Sequence, residues 1–267
     1  MALDEHPPIG IGTYDNTDPV VCAQSVELAL NIGYRHVDTA EGYNNEVAVG
    51  DGIASAAVDR DDVFVATKVS PDNLTFEDVL EHARASRDRL GVDTLDLLYV
   101  HWPIRTYDPE ETLAAFDELY DDGVISHVGL SNFTPEQLET AIDTLDAPLF
   151  AHQVECHPLL QQETLRALAR EHGHFLVAYS PIAKGKVFDV PELVEIAEKH
   201  DATAAQVALA WLLSKPNVVA IPKSESESHI RENFDAQQLS LDSDDIARID
   251  AIDREHRCVD FDGAPWN

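Results

Sequence analysis

Asp38, Tyr43, Lys68 and His101 stand at or just beyond the ends of three apolar, β-rich runs, Tyr34–Thr39, Val63–Lys68 and Thr94–Trp102. All four are ionisable, and leaving consecutive strand ends they would converge on one point, where proton transfer and charge stabilisation on a bound small molecule become possible. Each residue alone is weak support, since a strand-end His or Asp is more often a hydrogen-bonded structural residue. Lys68, however, ends the otherwise apolar stretch Val63-Phe64-Val65-Ala66-Thr67-Lys68, where a cation is costly unless paired.

The elements that must position these groups follow from periodicity. Eight strand-like runs recur: Ile9–Thr13, Tyr34–Thr39, Val63–Lys68, Thr94–Trp102, Ser126–Ser131, Leu149–Glu155, Phe175–Ser180 and Val218–Pro222. Between them lie amphipathic stretches at Pro19–Asn31, Asn45–Ala57, Thr75–Leu90, Pro109–Asp121, Pro135–Thr144, Gln162–His172, and Pro191–His200 with Thr203–Ser214; Glu227–Phe234 and Asp242–Asp253 follow the last strand. Several open with helix-start chemistry such as Thr134-Pro135-Glu136. Strands that read as continuous apolar runs are buried on both faces and parallel. The expectation is an α/β fold, one (β/α)8 TIM barrel spanning 1–267 with a substrate loop at about 254–267; an open doubly wound sheet is the alternative. A barrel places its chemistry at the strands' C-terminal rim. Polar groups do gather there, in Asp38-Thr39, Thr67-Lys68, His101-Trp102, Ser131-Asn132, Gln153 to His157, Tyr179-Ser180 and Lys223-Ser224.

From Ile9 to about Ile252 the chain resembles the aldo-keto reductase family, and within it prokaryotic members similar to diketogluconate and aldehyde reductases. The matching strings are Gly10-Ile11-Gly12-Thr13-Tyr14, Gly33-Tyr34-Arg35-His36-Val37-Asp38-Thr39-Ala40 with Tyr43, Leu98-Tyr99-Val100-His101-Trp102-Pro103, and Val128-Gly129-Leu130-Ser131-Asn132-Phe133. Gln153-Val154-Glu155-Cys156-His157-Pro158, Tyr179-Ser180-Pro181 and Ile221-Pro222-Lys223-Ser224 complete the set. The resemblance implies hydride delivery from a nicotinamide to a carbonyl carbon, with Tyr43 as proton donor; Lys68 would lower the phenol's ordinary pKa of about 10, Asp38 would hold Lys68 charged and aimed, and His101 would orient the carbonyl and help bear charge developing on its oxygen. It implies NADP, with NAD as a second option, held by Tyr179 against the ring and by Ser131, Asn132 and Gln153 at the carboxamide. Gly12 and Thr13 would let the chain approach the cofactor, Ser180 and Ile182 would lie along the pyrophosphate, Lys223 and Ser224 at the 2′-phosphate, and Glu232 and Asn233 at the adenine. Where many members carry an arginine six residues after that lysine, this chain has His229. An imidazole can stack but lacks the guanidinium's fixed charge and fork. Glu225 and Glu227 add negative charge nearby, so NADPH preference is expected to be weakened.

Other candidates read more plainly. Gly10-x-Gly12 lacks the third glycine of a dinucleotide fingerprint, since position 15 is Asp. His36, His152, His157 and Cys156 form no complete tetrahedral set, so no metal is expected. Tyr14, Trp102 and Trp266 are candidates for an aromatic substrate wall, and the tail Arg257–Trp266 is expected to fold over the mouth and select substrates.

Composition bounds the remaining classes. Fifty acidic residues against 18 basic ones give a formal net charge of −32 over 267 residues. Such a chain cannot neutralise a phosphate backbone and would be repelled by anionic lipid, so neither nucleic acid nor membrane is an expected partner. Only six of the basic residues are lysines. This is the composition of a protein adapted to a high-salt cytoplasm, like those of haloarchaea; molar salt cuts the screening length to roughly 3 Å and relieves self-repulsion. Three cysteines without paired spacing fit reduced thiols, and the N-terminus has acids where a signal peptide needs positive charge. The expectation is a soluble, cytoplasmic, monomeric enzyme acting on a small carbonyl compound. A Schiff-base aldolase working through Lys68 and a nucleotide-sensing subunit with little turnover are the alternatives.

Overall fold

A computed structural model describes residues 6–267; residues 1–5, read above as lacking a leader, lie outside the described residues. In chain order the elements are β1 (Ile11–Gly12), α1 (Pro19–Ile32), β2 (His36–Asp38), α2 (Glu46–Ser55), β3 (Phe64–Val69), α3 (Phe76–Leu90), β4 (Leu97–Val100), α4 (Pro109–Asp121), β5 (Val128–Ser131) and α5 (Pro135–Thr144). They continue as β6 (Leu149–Glu155), α6 (Glu163–His172), β7 (Phe175–Tyr179), α7 (Pro191–His200), α8 (Ala204–Leu213), β8 (Val218–Ala220), α9 (Glu227–Asp235) and α10 (Ser243–Asp250). Six of these ten helices, α1, α3, α4, α5, α8 and α10, begin where a side chain satisfies free backbone N–H groups of the first turn. Asp18 accepts from the amides of Val20 and Val21 beside Pro19, and Thr134 and Thr203 form reciprocal caps with Gln137 and Gln206.

All eight strands pair in parallel and in sequence order. Bridges from Ile9 to Ala220 and from Gly12 to Lys223 join β1 back to β8, so the sheet closes as the expected (β/α)8 barrel and not as a doubly wound sheet. Closure needs glycine at position 12, because a Cβ there would stand 2.9 Å from the Ile221 carbonyl oxygen.

Two-residue alternation divides each strand between two cores. Val37, Val65, Leu98, Val100, Val128, Leu130, Val154, Leu176 and Ala178 belong to the outer core beneath the helices. Phe64, Ala66, Leu97, Tyr99, Ala151, Phe175, Val177, Val219 and Ile221 fill the barrel interior. Continuing the inward series toward the C-terminal rim gives Lys68 after Ala66, His101 after Tyr99, Gln153 and Glu155 after Ala151, and Tyr179 after Val177. The packed interior is therefore the floor on which these polar groups stand.

Candidate active site

Above that floor opens a cavity of about 630 Å³, within the range of small-molecule sites. Asp38, Tyr43, His101, Ser131, Asn132, Gln153 and Tyr179 line it, with Gly12, Thr13, Tyr14, Trp102, Ser180, Ile182 and Lys223 around the mouth. Lys68 lies behind the lining with a fully buried side chain. Its ammonium donates to Asp38 Oδ1 at 2.6 Å and to the Thr39 carbonyl at 2.7 Å, and sits 5.2 Å from the centroid of the Tyr43 ring. Gln153 Nε2 donates to the other Asp38 oxygen at 2.7 Å. Burial pushes the Asp38 carboxyl up and the Lys68 ammonium down, and their contact opposes both changes.

The Tyr43 phenol departs from the expectation that Lys68 lowers its pKa. Burial, followed by the charge of Asp38, drives it well above its ordinary value. Burial and the Asp38 charge both disfavour the phenolate, so the phenol stays protonated. His101 is driven the other way, down to about 3, by burial and then by Lys68. It is therefore a neutral imidazole beside Tyr43, their ring centroids 5.8 Å apart, able to donate a hydrogen bond but not to act as an imidazolium acid. Of the two groups facing the cavity, only the phenol carries a transferable proton near neutrality.

The residues expected at a nicotinamide sit together. Asn132, with φ at 65°, donates to the Ser131 hydroxyl and to the His101 carbonyl, while Tyr179 Oη donates to Asn132 Oδ1 at 2.9 Å. Tyr179 thus stands as a fixed aromatic wall. Ser180, Ala183 and Lys184 all take left-handed conformations, turning the β7 loop back over the mouth. An aromatic face, amide and hydroxyl groups at the base, and Lys184 and Lys223 at the lip fit a flat polar ring bearing an anionic tail. The adenosine-side candidates lie outside the cavity lining: Ser224 and Asn233 are buried, and Glu232 accepts from the Thr203 hydroxyl at 2.7 Å. His229 is exposed on α9, and Lys223 pairs with Glu225 at 2.8 Å.

Of the aromatic candidates, Tyr14 and Trp102 line the cavity and Trp266 does not; it packs 5.6 Å from Trp102, one layer out. Val259 and Phe261 from the tail take the lining positions, Phe261 standing edge-to-face with Trp102 at 5.0 Å. Glu41 was not singled out in the sequence, yet it steadies the 3-10 turn that carries Tyr43. Its carboxylate accepts from the Ser70 amide and Asn73 Nδ2 and meets His82 Nδ1 at 2.7 Å. Burial alone would raise its pKa, but these partners outweigh burial and hold it low. A carboxylate one residue from a turn glycine was the available signal. His36 packs against Phe64 in the barrel floor and His152 Nε2 accepts from the Phe133 amide, both structural uses.

A closed (β/α)8 barrel that gathers a phenol, an ammonium–carboxylate pair and a neutral imidazole at one mouth has the build of a carbonyl-reducing oxidoreductase. The chain belongs to the aldo/keto reductase family, whose model matches residues 8–254. It is 38% identical over 253 residues to the glyoxal reductase of Bacillus subtilis, covering 95% of this chain and 91% of that one. Among solved structures, a protein provisionally named a 2,5-diketo-D-gluconic acid reductase B superposes with a TM-score of 0.92 at 36% identity, covering 97% and 92% of the two chains. The Bombyx mori aldo-keto reductase, solved in complex with NADP, does so with a TM-score of 0.89 at 29% identity, covering 96% and 92%. Among the described residues no helix is long and apolar enough to cross a membrane.

Proposed function

We propose that this enzyme reduces aldehyde and ketone carbonyls of small oxoaldehydes and keto-sugars to alcohols, using NADPH and, less restrictively than its relatives, NADH. The observation that carries the reading is the pairing of a protonated phenol with a neutral imidazole above a buried Lys68–Asp38 pair, all facing one cavity. When bound, the reduced nicotinamide supplies the hydride. Tyr43 Oη gives its proton to the carbonyl oxygen as negative charge develops there, and His101 orients that oxygen by donating a hydrogen bond. Tyr43 has to become a phenolate in that step. The buried cation 5.2 Å from its ring is the group that would stabilise the product phenolate, which is a demand on the transition state and not on the resting acid. Tyr14 and Trp102 bound the space above the reacting atoms.

The aldolase reading is disfavoured by the position of Lys68. Its amine is fully buried, donates to Asp38 and the Thr39 carbonyl, and does not line the cavity, so a substrate carbonyl has no approach to it. Tyr43→Phe tests the proposal. It should lower kcat by about 100-fold or more while the dinucleotide Kd, measured by fluorescence titration, changes less than about threefold. Substantial turnover by that variant would remove Tyr43 from the proton-donor role.

A further inference from the structure

Glu155 ends β6 at an inward position, next along the barrel wall from Gln153, but serves neither the buried ion pair nor the cavity lining. Its side chain is fully buried, and both oxygens are taken by chain more than 100 residues away. Oε1 accepts from the Cys258 amide at 2.5 Å and Oε2 from the Val259 amide at 2.8 Å. His157 Nε2 meets Oε1 at 2.9 Å, and the Leu159 amide donates to His157 Nδ1 at 3.2 Å. The second bond makes Nδ1 an acceptor and leaves the proton on Nε2, aimed at Glu155. That tautomer decides between two uses of the cluster. The ligand atoms of Glu155, His157 and Cys258 lie within 4.8 Å of one another, close enough for a metal. A metal would need Nε2 bare, however, and the Nδ1 proton this requires would point at the Leu159 N–H. The group is a hydrogen-bonded clamp.

The clamp holds a segment without secondary structure: beyond α10 the tail forms no helix or strand. Its other ties are the His256 amide to the Leu159 carbonyl, Arg254 to Glu192 on the surface, the Lys184 ammonium to the Cys258 carbonyl at 3.5 Å, a 3.9 Å contact of Cys258 Sγ with His157 Nε2, and the packing of Ile252 and Cys258 on the outer core. Directly after the clamped amides come Val259 and Phe261, which line the cavity. Phe261 and Trp266 both pack on Trp102, and Arg257 lies 4.0 Å over the Trp266 ring. Two amides on one buried carboxylate therefore fix the point at which the tail begins to cross the mouth. Burial would raise the Glu155 pKa, but the hydrogen bonds from His157, Cys258 and Val259 outweigh it and keep the carboxylate ionised.

We propose that Glu155, oriented by His157, is the positioning residue that sets affinity for the carbonyl substrate by clamping the Cys258 and Val259 amides, so that Val259 and Phe261 complete the cavity wall beside Trp102. The inference rests on the carbonyl-reduction reading for its substrate; the clamp itself can be measured without turnover. In hydrogen–deuterium exchange on the full wild-type chain, the Cys258 and Val259 amides should exchange at least about tenfold more slowly than their tail neighbours. Unprotected amides there would overturn the clamp even if no variant folded. Glu155→Gln keeps the shape but sets an NH2 group against one donor. It should abolish that protection and raise KM for a small aldehyde by about tenfold or more, with kcat within about threefold and the dinucleotide Kd within about twofold. Glu155→Asp, too short to reach both amides, should do likewise. Phe261→Ala should reproduce the KM rise with both amides still protected, and adding it to Glu155→Gln should cost nothing further. An unchanged KM, or equal losses in KM, kcat and dinucleotide affinity, would overturn the proposal. Protected amides in a wild-type protein that reduces no carbonyl would fault the catalytic reading and leave the clamp standing.

Discussion

Lys223, proposed for the adenosine end of a bound dinucleotide, has its charge already engaged. Its ammonium lies 2.8 Å from Glu225, both groups about a third or more exposed, in the position where the resemblance expects a free cation for a 2′-phosphate. A phosphate must displace that carboxylate, whereas a 2′-hydroxyl need not. His229 compounds the effect, because it replaces a residue that would bring a permanent charge and a bidentate fork. His229→Arg should therefore lower the apparent KM for NADPH several-fold more than that for NADH, and Glu225→Gln should act in the same direction. An exposed pair contributes only about 0–1 kcal/mol, so each change is expected to shift NADPH by less than about tenfold. Initial rates with both nucleotides check this, and equal effects on the two would refute it. At the same scale, the identities of Asp38, Tyr43, Lys68 and His101 were legible because the strands that carry them were. The direction of the Tyr43 shift was not, since it is set first by the depth at which the phenol is buried and then by the Asp38 charge beside it, neither of which spacing along the chain gives.

The element that states the fold most clearly is β3, where Phe64, Ala66 and Lys68 alternate inward and Val65 and Val69 outward. The same alternation along β4, β6 and β7 leads to His101, Gln153, Glu155 and Tyr179 from the sequence alone. Strand ends were less legible: β4 spans Leu97–Val100, not Thr94–Trp102, because pairing stops where the C-terminal loops diverge. The tail was legible only as a loop. Nothing in the order Cys258-Val259-Asp260-Phe261 announces that Glu155 accepts its amides, since backbone donors have no residue signature, and so Trp266 read as the pocket residue in place of Phe261. Gly129 on β5 is a second feature that spacing alone conceals. Its position faces the barrel interior, where an added Cβ would come within 2.4 Å of the buried Tyr99 ring. Tyr99 has no room to retreat, so Gly129→Ala should destabilise the barrel by about 1–3 kcal/mol, read as a lower denaturant midpoint at unchanged slope. A neutral result would mean that the interior layer around Tyr99 can repack.

At the scale of the whole molecule, the −32 formal charge and the site draw on one scarce resource, positive side chains. Four of the six lysines have structural assignments that leave none of them idle. Lys68 is buried with Asp38, Lys223 pairs with Glu225, Lys199 joins Asp242 and Asp245, and Lys215 joins Asp250. Among the described residues most of the other acids are in no ion pair, and exposed ones such as Asp51, Glu110 and Asp244 repel one another and any approaching anion. The screening length falls as the inverse square root of ionic strength, from about 10 Å at 0.1 M to about 3 Å at 1 M, so added salt should relieve both forms of repulsion. The buried Lys68–Asp38 pair, shielded from ions, should be indifferent. Raising potassium chloride from about 0.1 M to about 2 M should therefore increase the midpoint of thermal unfolding and lower the apparent KM for the dinucleotide, while leaving the ratio of Tyr43→Phe to wild-type kcat unchanged. Sucrose at matched osmolarity separates screening from exclusion at the protein surface, because it strengthens burial without screening charge. If sucrose reproduces the stabilisation in full, or if potassium chloride lowers the midpoint, the acidic surface is not the reason for the salt response.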